Sequence, residues 1–470
     1  MRKFLLATTV GLGTVAAAGA ALAQSTPPST PPTTAPAAPP TPAQTAAAAA
    51  NATWGVSGPG APPVMSSTTV SSGMAAPGSF VVHLNGRLNY YLGVEGSSVD
   101  QVGSDKNGAL ETQGYIRLYP GFDAVAANGL QYGVVGEIRN PGSNDTATGT
   151  GASGNSTANT LYWYEAYGYL GLPNVGTLQF GQSDGAFDLL MVGTFENFND
   201  GAWNGDVPGF IPSAAAPVWP WPDVGQYQTT NRIAYLSPTW SGFQFGVSFA
   251  PNNNALINSE NCTVAGPGCN RNTSTPFVTT GEQFDSPRYR NIVDAAAEYT
   301  GTFGPVGVSA SAGYLHSTPV ANSLPGMLAY NGLSVGQAGL TLSYAGFTVG
   351  GNILGGEMNN QYYLQPKGGA NALAFIFGGE YSIGPVIVGA SYYKFKYQGD
   401  YQSPTTEGVD TDQGIAAGGT FAVAPGLALY LSYLYGTRHQ IGYDFATDAP
   451  GTAYNNVKSQ VFAVGTVLKW

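Results

Sequence analysis

The segment FGQSDGAF, residues 180–187, contains the pattern Gly-x-Ser-x-Gly, with Gly181, Ser183 and Gly185 at its fixed positions. In α/β-hydrolases this spacing places a nucleophilic serine at a sharp turn between a strand and a helix, near a histidine that removes its proton. No alternation of strands and helices surrounds this segment. The three histidines of the chain are also far apart in sequence: His83, His316 and His439. We therefore favour a loop position for Ser183 and predict that the protein is not an enzyme.

The N terminus has the pattern of a secretory signal peptide. A basic start, Met1 to Lys3, precedes an apolar and small-residue run and the cleavage pattern Ala21-Leu22-Ala23. We predict a signal peptide over residues 1–23 and an exported protein. The formal net charge of -11 argues against nucleic-acid binding, which depends on Lys and Arg neutralising phosphates.

Cysteine and acidic residues offer two further candidate sites. Cys262 and Cys269 lie seven apart in a predicted external loop, and an exported protein can hold a disulfide there. Glu407, Asp410 and Asp412 lack the ligand spacing of an EF-hand. We predict a possible disulfide, no metal site and no cofactor, since no phosphate-binding glycine motif is present.

The composition indicates a surface that does not face only water. Charged residues make up 9% and aromatic residues 12% of the chain, whereas soluble domains contain roughly 25% charged residues. No run of eighteen apolar residues follows the signal peptide, so a transmembrane helix is not expected. The other structure that spans a membrane is a closed β-barrel, because it satisfies every backbone polar group internally.

Residues 24–78 are rich in Pro, Ala and Thr and contain no charged residue. Such a segment cannot bury enough apolar surface to fold, and we predict a disordered spacer. A passive linker and a segment that contacts the periplasmic cell wall are both compatible with this composition.

From Phe80 onward the sequence alternates with period two. Val82 and Leu84 fall on one face of the first segment, and His83, Asn85 and Arg87 fall on the other. Short turns such as Ile383-Gly384-Pro385 alternate with eight long loops, which predicts about sixteen strands in an all-β, transmembrane antiparallel barrel over residues 79–470. The long loops are 93–110, 140–160, 183–228, 251–288, 316–332, 356–370, 397–412 and 439–456.

Three segments resemble the Gram-negative general porin family: YWYEAYGYLGLPNVGTLQFGQSDGAF (162–187), NRIAYLSPTWSGFQFGVSFAP (231–251) and the final VFAVGTVLKW. Most of the family ends in Phe, whereas this chain ends in Trp470. The resemblance implies a location in the outer membrane, contact with its lipid, a homotrimer, and a third loop that folds into the barrel and narrows it.

The third predicted loop carries acidic residues and neither Lys nor Arg. Its apolar residues, including Phe187, Leu190 and Trp203, are too numerous for a freely exposed loop. We therefore predict an inward-folded loop that supplies the acidic side of a pore constriction: Asp184, Asp188, Glu196 and Asp200.

The basic side is predicted from the polar faces of the strands: Arg87, Arg117, Arg139 and Arg232. Each lies on the inward face by alternation and at a similar height, so an acidic loop and a basic wall would create a field across the pore. Alternatively, each arginine pairs with an inward carboxylate such as Glu137 or Glu165.

These observations predict a water-filled channel for passive diffusion of ions and small hydrophilic solutes. The acidic excess suggests a mild preference for cations. A substrate-specific channel, for example one with an aromatic track for sugars, is the main alternative; a barrel enzyme and a soluble adhesive β-sandwich are two others.

Overall fold

The computed structural model describes residues 76–102, 105–106, 108–139, 161–221, 229–253, 278–279, 282–283, 289–320, 329–400 and 408–470. The predicted signal peptide, almost all of the predicted spacer, and both Cys262 and Cys269 lie outside these residues. Their assignments therefore remain predictions.

Sixteen antiparallel strands form one closed barrel in which each strand pairs with its neighbours in sequence and β16 pairs with β1. The strands are β1 Ser79–Ser97, β2 Leu110–Val125, β3 Gln131–Arg139, β4 Tyr162–Leu172, β5 Gly176–Ser183, β6 Thr230–Leu236, β7 Phe243–Asn252, β8 Tyr289–Phe303, β9 Val306–Pro319, β10 Ser334–Tyr344, β11 Phe347–Glu357, β12 Ala372–Ile383, β13 Val386–Tyr397, β14 Asp410–Ala424, β15 Leu427–His439 and β16 Asn456–Lys469. The predicted fold class and strand number are confirmed.

Alternating side chains give the barrel an apolar outer face. On β7, Phe243, Phe245, Val247 and Phe249 are all more than 40% exposed, and the residues between them point to the lumen. Closure leaves no strand edge unpaired, which is what a lipid environment requires. The outer face is therefore suited to the hydrocarbon core of a bilayer.

Aromatic rings cluster at the short turns. Tyr344 and Phe347 flank the turn between β10 and β11, and the Phe347 ring packs on Tyr381 at a centroid distance of 4.2 Å. Ala345 and Gly346 both have positive φ, as the tightest hairpin turn requires. Rings at this level match the aromatic belts that barrels place at a membrane interface.

The barrel closes where Trp470 meets Gly86. Their backbones exchange two hydrogen bonds of 3.1 Å, and the indole ring lies directly over the Gly86 Cα. A Cβ at position 86 would overlap several ring carbons. The glycine therefore makes room for the terminal ring at the junction between β1 and β16.

We expect Gly86→Ala to lower the free energy of unfolding by about 1–3 kcal/mol, because overpacking displaces the Trp470 ring. Urea unfolding of the detergent-refolded protein, followed by circular dichroism, measures this change. Gly336→Ala is the control, since the nearest atom to a Cβ there is the Gly313 oxygen at 3.9 Å. Equal stability of both variants would contradict the proposed packing.

The described helical structure is limited to the third loop, which runs from residue 184 to residue 229. It comprises α1 (Ala186–Leu189) and two 3₁₀ turns, Ala202–Asn204 and Val207–Phe210. Among the described residues, no helix is long and apolar enough to cross a membrane.

A hydrophobic core lies inside the barrel. Inward-facing apolar residues on β12 to β16 are buried against the third loop: Ile376, Phe395, Ala416, Leu434 and Val461. Both faces of these strands are thus apolar over part of their length. The polar-inside, apolar-outside rule holds for β1 to β3 but not for this sector.

Candidate functional site

The third loop contacts the inner wall on many strands. Along the loop, its hydrogen bonds reach β9, β11, β14 and β1: Val192 N–H to Ser311 Oγ (3.0 Å), Asn352 Nδ2 to the Val192 carbonyl (2.9 Å), Thr420 Oγ1 to the Phe198 carbonyl (3.1 Å), and Tyr91 Oη to Asp200 Oδ1 (2.6 Å). These strands are distributed around the barrel. The loop is thus held by side chains and backbone groups on widely separated parts of the wall.

Three of the four arginines predicted from the sequence lie side by side. Arg87 on β1 pairs in register with Arg117 on β2, which in turn pairs with Arg139 on β3. We call these three residues the basic row. Like charges directly opposite each other on neighbouring strands repel, so the row requires compensation.

Glu137 and Asp206 supply part of that compensation. Glu137 Oε1 accepts a hydrogen bond from Arg139 Nε at 2.5 Å and lies 3.8 Å from Arg117 Nη1. Asp206 on the third loop lies 3.6 Å from Arg117 Nη2. Glu137 is one of the carboxylates predicted from the sequence as a partner of the arginines. Asp206 is not among the predicted site residues, although it belongs to the acidic third loop.

Tyrosine rings also stabilise the positive charges of the basic row. The guanidinium carbon of Arg139 lies 3.0 Å from the centre of the Tyr164 ring, and that of Arg117 lies 4.5 Å from the Tyr115 ring. Arg87 is 5.4 Å from the same Tyr115 ring. Its Nε and Nη2 are buried without a hydrogen-bond partner among the described residues.

Asp200 faces the same part of the wall. It accepts hydrogen bonds from Tyr91 Oη (2.6 Å) and Asn89 Nδ2 (3.3 Å), both on β1. Burial, followed by repulsion from Asp206, raises the pKa of Asp200 to about 7. Asp200 is therefore fully ionised only in mildly alkaline solution.

Arg232 lies apart from the basic row. Its Nη1 contacts Asp294 Oδ2 on β8 at 3.0 Å and Ser248 Oγ on β7 at 3.0 Å, and its Nη2 donates to Thr230 Oγ1 at 3.1 Å. The side chains of Arg232 and Asp294 are both 0% exposed. This geometry is that of a buried structural ion pair.

Two of the remaining acidic residues of the predicted site, Asp184 and Asp188, lie near Arg232 and away from the basic row. Asp184 Oδ1 accepts a hydrogen bond from Thr229 Oγ1 at 2.7 Å, and Asp188 lies buried in α1. Glu196 Oε2 accepts one from Asn204 Nδ2 within the loop at 2.7 Å. Of the four predicted acidic residues, Asp200 is the one that hydrogen-bonds to a strand of the basic row.

Ser183 is the last residue of β5, and its hydroxyl is buried without a hydrogen-bond partner among the described residues. A short helix does follow it, as in a nucleophile elbow, but no histidine is hydrogen-bonded to it. His83 Nε2 instead lies 3.3 Å from Asp123. The described part of the chain also contains no group of three or more His, Cys, Asp or Glu residues that could hold a metal ion.

The family model described as Gram-negative porin matches residues 7–440 of the chain. The chain belongs to the Gram-negative porin family. Among solved structures, the porin is similar to an anion-selective porin from Comamonas acidovorans, at 15% identity and a TM-score of 0.50, covering 83% of this chain and 100% of that one.

Two further solved structures are similar. One is a triple mutant of the Rhodopseudomonas blastica porin, with 15% identity, a TM-score of 0.46 and coverage of 83% and 100% of the two chains. The other is the Vibrio cholerae outer-membrane protein OmpT in a trimer form, with 12% identity, a TM-score of 0.47 and coverage of 83% and 99%. No curated protein sequence matches the chain.

Family membership and the closed sixteen-strand barrel establish the porin as an outer-membrane channel for passive diffusion. Both the family and the fold are those of channels, not of enzymes.

Proposed function

We propose that ions and small hydrophilic solutes cross this porin through a gap beside the contact between the basic row and the third loop, bordered by the residues around Asp200 and Asp206. The observation that carries the proposal is the register pairing of Arg87, Arg117 and Arg139, with Asp206 facing Arg117 at 3.6 Å. In this arrangement the third loop folds inward and sets the narrowest part of the pore.

The mechanism is electrostatic and steric. Positive charge on the wall and negative charge on the loop create a field across the gap, which orients dipolar solutes and sets the relative permeability of anions and cations. The charged groups of the wall and the loop are paired with each other before a solute arrives. A passing ion replaces one of these partners, so no charged group is left without a partner. Arg87 supplies the positive charge at the β1 end of the basic row.

We propose that no covalent chemistry occurs, since the Ser183 hydroxyl is buried and has no base hydrogen-bonded to it among the described residues. The outward apolar residues on β7 support contact with outer-membrane lipid. Assembly as a homotrimer is proposed from family membership.

Single-channel recording under a KCl gradient tests the proposed gap. At pH 8.5, where Asp200 is ionised, Arg87→Gln should shift the reversal potential toward cation preference. Asp206→Asn should shift it in the opposite direction. A unit charge about 4 Å from an ion contributes about 1 kcal/mol even in bulk water, so the permeability ratio should change about fivefold.

Opposite signs for the two variants separate a charge effect from general disruption of the pore. Lys367→Gln is the matched control, because Lys367 is exposed outside the barrel strands and should leave the reversal potential unchanged. The proposed gap is wrong if Arg87→Gln and Asp206→Asn both conduct with the parental ion preference.

A further inference from the structure

We propose that the third loop turns the part of the lumen along β9–β15 into a closed hydrophobic core, so that water and ions pass the loop only along the wall of β1–β5, which includes the basic row. This inference rests on the proposed function, in which the third loop narrows the pore, and it specifies which sector stays open. Three independent observations carry it: glycines beneath the loop, an aromatic cluster, and the distribution of exposure.

The first observation is a series of glycines beneath the loop, on β9 and on β12 to β15. Each one points inward, and a Cβ added to it would come within about 3 Å of a loop residue. The contacts are Gly313 to Phe187 (3.1 Å), Gly378 to Phe195 (2.7 Å), Gly389 to Phe198 (2.7 Å), Gly418 to Asn199 (3.1 Å) and Gly436 to Trp203 (2.7 Å), on β9, β12, β13, β14 and β15.

On β10, a Cβ at Gly339 would overlap the Val192 carbonyl. The loop therefore lies directly on the backbone of the wall, since glycine lacks the side chain that would hold it away. At these glycines no side chain separates the loop from the wall. Close contact over these strands leaves no continuous space for water between the loop and this sector.

The second observation is the inner aromatic cluster, formed by Trp203, Trp219, Trp221 and Tyr393. The ring centres of Trp219 and Trp221 are 4.9 Å apart, and both rings pack against Tyr393 at 5.1 and 6.0 Å. The Trp203 ring packs on Tyr393 from 6.3 Å. All four side chains are at least 95% buried.

Three of the four polar side-chain groups of this cluster are hydrogen-bonded to protein, whereas Trp219 Nε1 is buried without a hydrogen-bond partner among the described residues. Trp221 Nε1 donates to Asn352 Oδ1 at 2.8 Å, and Trp203 Nε1 donates to the Ile415 carbonyl at 3.1 Å. Tyr393 Oη donates to the Val218 carbonyl at 3.1 Å. Because the rings are closely packed and these three polar groups are hydrogen-bonded to protein, the cluster forms a hydrophobic core and does not line an aqueous path.

The third observation is that partly exposed inward side chains remain on β2 and β4. Inward polar residues near the loop on β13, β14 and β15 are almost fully buried: Ser391 (6%), Thr420 (2%) and Ser432 (2%). On β2–β5, Arg117 (8%), Glu137 (7%) and Gln179 (1%) are also buried, but Gln113 and Tyr119 on β2 and Glu165 and Tyr167 on β4 remain partly exposed. The Asp206 side chain on the facing loop is also 21% exposed.

Cysteine accessibility tests the inference directly. The variants are made in a Cys262→Ser/Cys269→Ser background, which removes both native cysteines. In separate variants, a single cysteine replaces Ser391 on β13, in the part of the wall proposed to be closed (the closed sector), or Gln113 on β2, in the part proposed to be open (the open sector). Thr341→Cys is the matched control, since Thr341 is a partly exposed inward residue on β10 and lies two positions beyond Gly339 toward the short turn. The probe is the anionic thiol reagent 2-sulfonatoethyl methanethiosulfonate, added to channels in a planar bilayer.

We expect the reagent to modify Gln113→Cys and Thr341→Cys at least tenfold faster than Ser391→Cys. Modification of Gln113→Cys should also reduce the current, whereas treatment of Ser391→Cys should leave it unchanged. Ser432→Cys on β15 repeats the test at a second buried position if Ser391→Cys fails to fold.

Rapid modification of Ser391→Cys or Ser432→Cys, at rates comparable to Gln113→Cys, would overturn the closed sector. That result would leave the proposed gap intact, because the parent would still conduct and Arg87→Gln would still shift its reversal potential. Unchanged ion preference in Arg87→Gln and Asp206→Asn, together with slow modification of Ser391→Cys, would overturn the gap and retain the closed sector.

Discussion

Arg232→Met should lower the free energy of unfolding by about 3–5 kcal/mol, which is the usual cost of removing one partner from a buried ion pair. The Asp294 carboxylate would remain fully buried, with Ser248 and the backbone N–H of Phe187 as its neighbouring donors. Because this pair connects β6, β7 and β8 to the start of the third loop, its removal should lower the stability of the whole barrel.

Urea unfolding of the detergent-refolded protein, followed by circular dichroism, measures this effect. The double variant Arg232→Met/Asp294→Leu removes both charges and should recover much of the lost stability. Lys106→Met is a contrasting control, because Lys106 and its partner Asp100 form an ion pair at the surface, and its stability should change little. A similar loss in Arg232→Met and Lys106→Met would show that the buried pair has no special role.

Trp221→Ala should lower the free energy of unfolding by about 3–5 kcal/mol, because it leaves a large cavity in a packed core. Trp221 is 1% exposed and contacts both Trp219 and Tyr393. The same cavity should admit water beside the third loop, so the single-channel conductance should rise.

The matched control is Trp221→Phe, which keeps most of the ring volume and loses the hydrogen bond to Asn352 Oδ1. It should retain the parental conductance and lose less stability than Trp221→Ala. Unfolding in urea and conductance in a planar bilayer give two separate readouts. A Trp221→Ala variant with parental stability would contradict the core packing around this ring.

Much of the barrel could be predicted from alternation alone. Phe243, Phe245, Val247 and Phe249 follow period two, and each of them is exposed on the outer face. The basic row could be predicted for the same reason. Arg87, Arg117 and Arg139 are in phase with the inward face of their strands, and tight antiparallel pairing fixes their register.

The position of Arg232 shows where alternation stops being informative. It faces inward like the other three arginines, but its partner Asp294 lies 62 positions away. Alternation predicts on which face of its strand a residue lies. It does not predict which residue of a distant strand contacts that residue. Asp206 was equally hard to place, because its position depends on how the third loop crosses the barrel.

The apolar inner wall had a signal in the sequence that alternation obscured. The segments ALAFIFGGEYSI and LALYLSYLYGTRH, which form β12 and β15, are apolar on both faces. Continuous apolar strands are typical of sheets covered on both sides. In a barrel, such a strand indicates that protein covers it from the lumen, and the aromatic residues of the third loop provide that cover.

The junction between β1 and β16 has a consequence for how the molecule is made. The Lys458 N–H donates to Ser98 Oγ across 360 positions of sequence, so the first strand has no partner on one side until the last strand arrives. Such high contact order slows folding, and unpaired edges on nascent hairpins invite aggregation. The barrel therefore cannot be completed strand by strand from the N terminus. The translocated chain must be kept unfolded until its first and last strands pair.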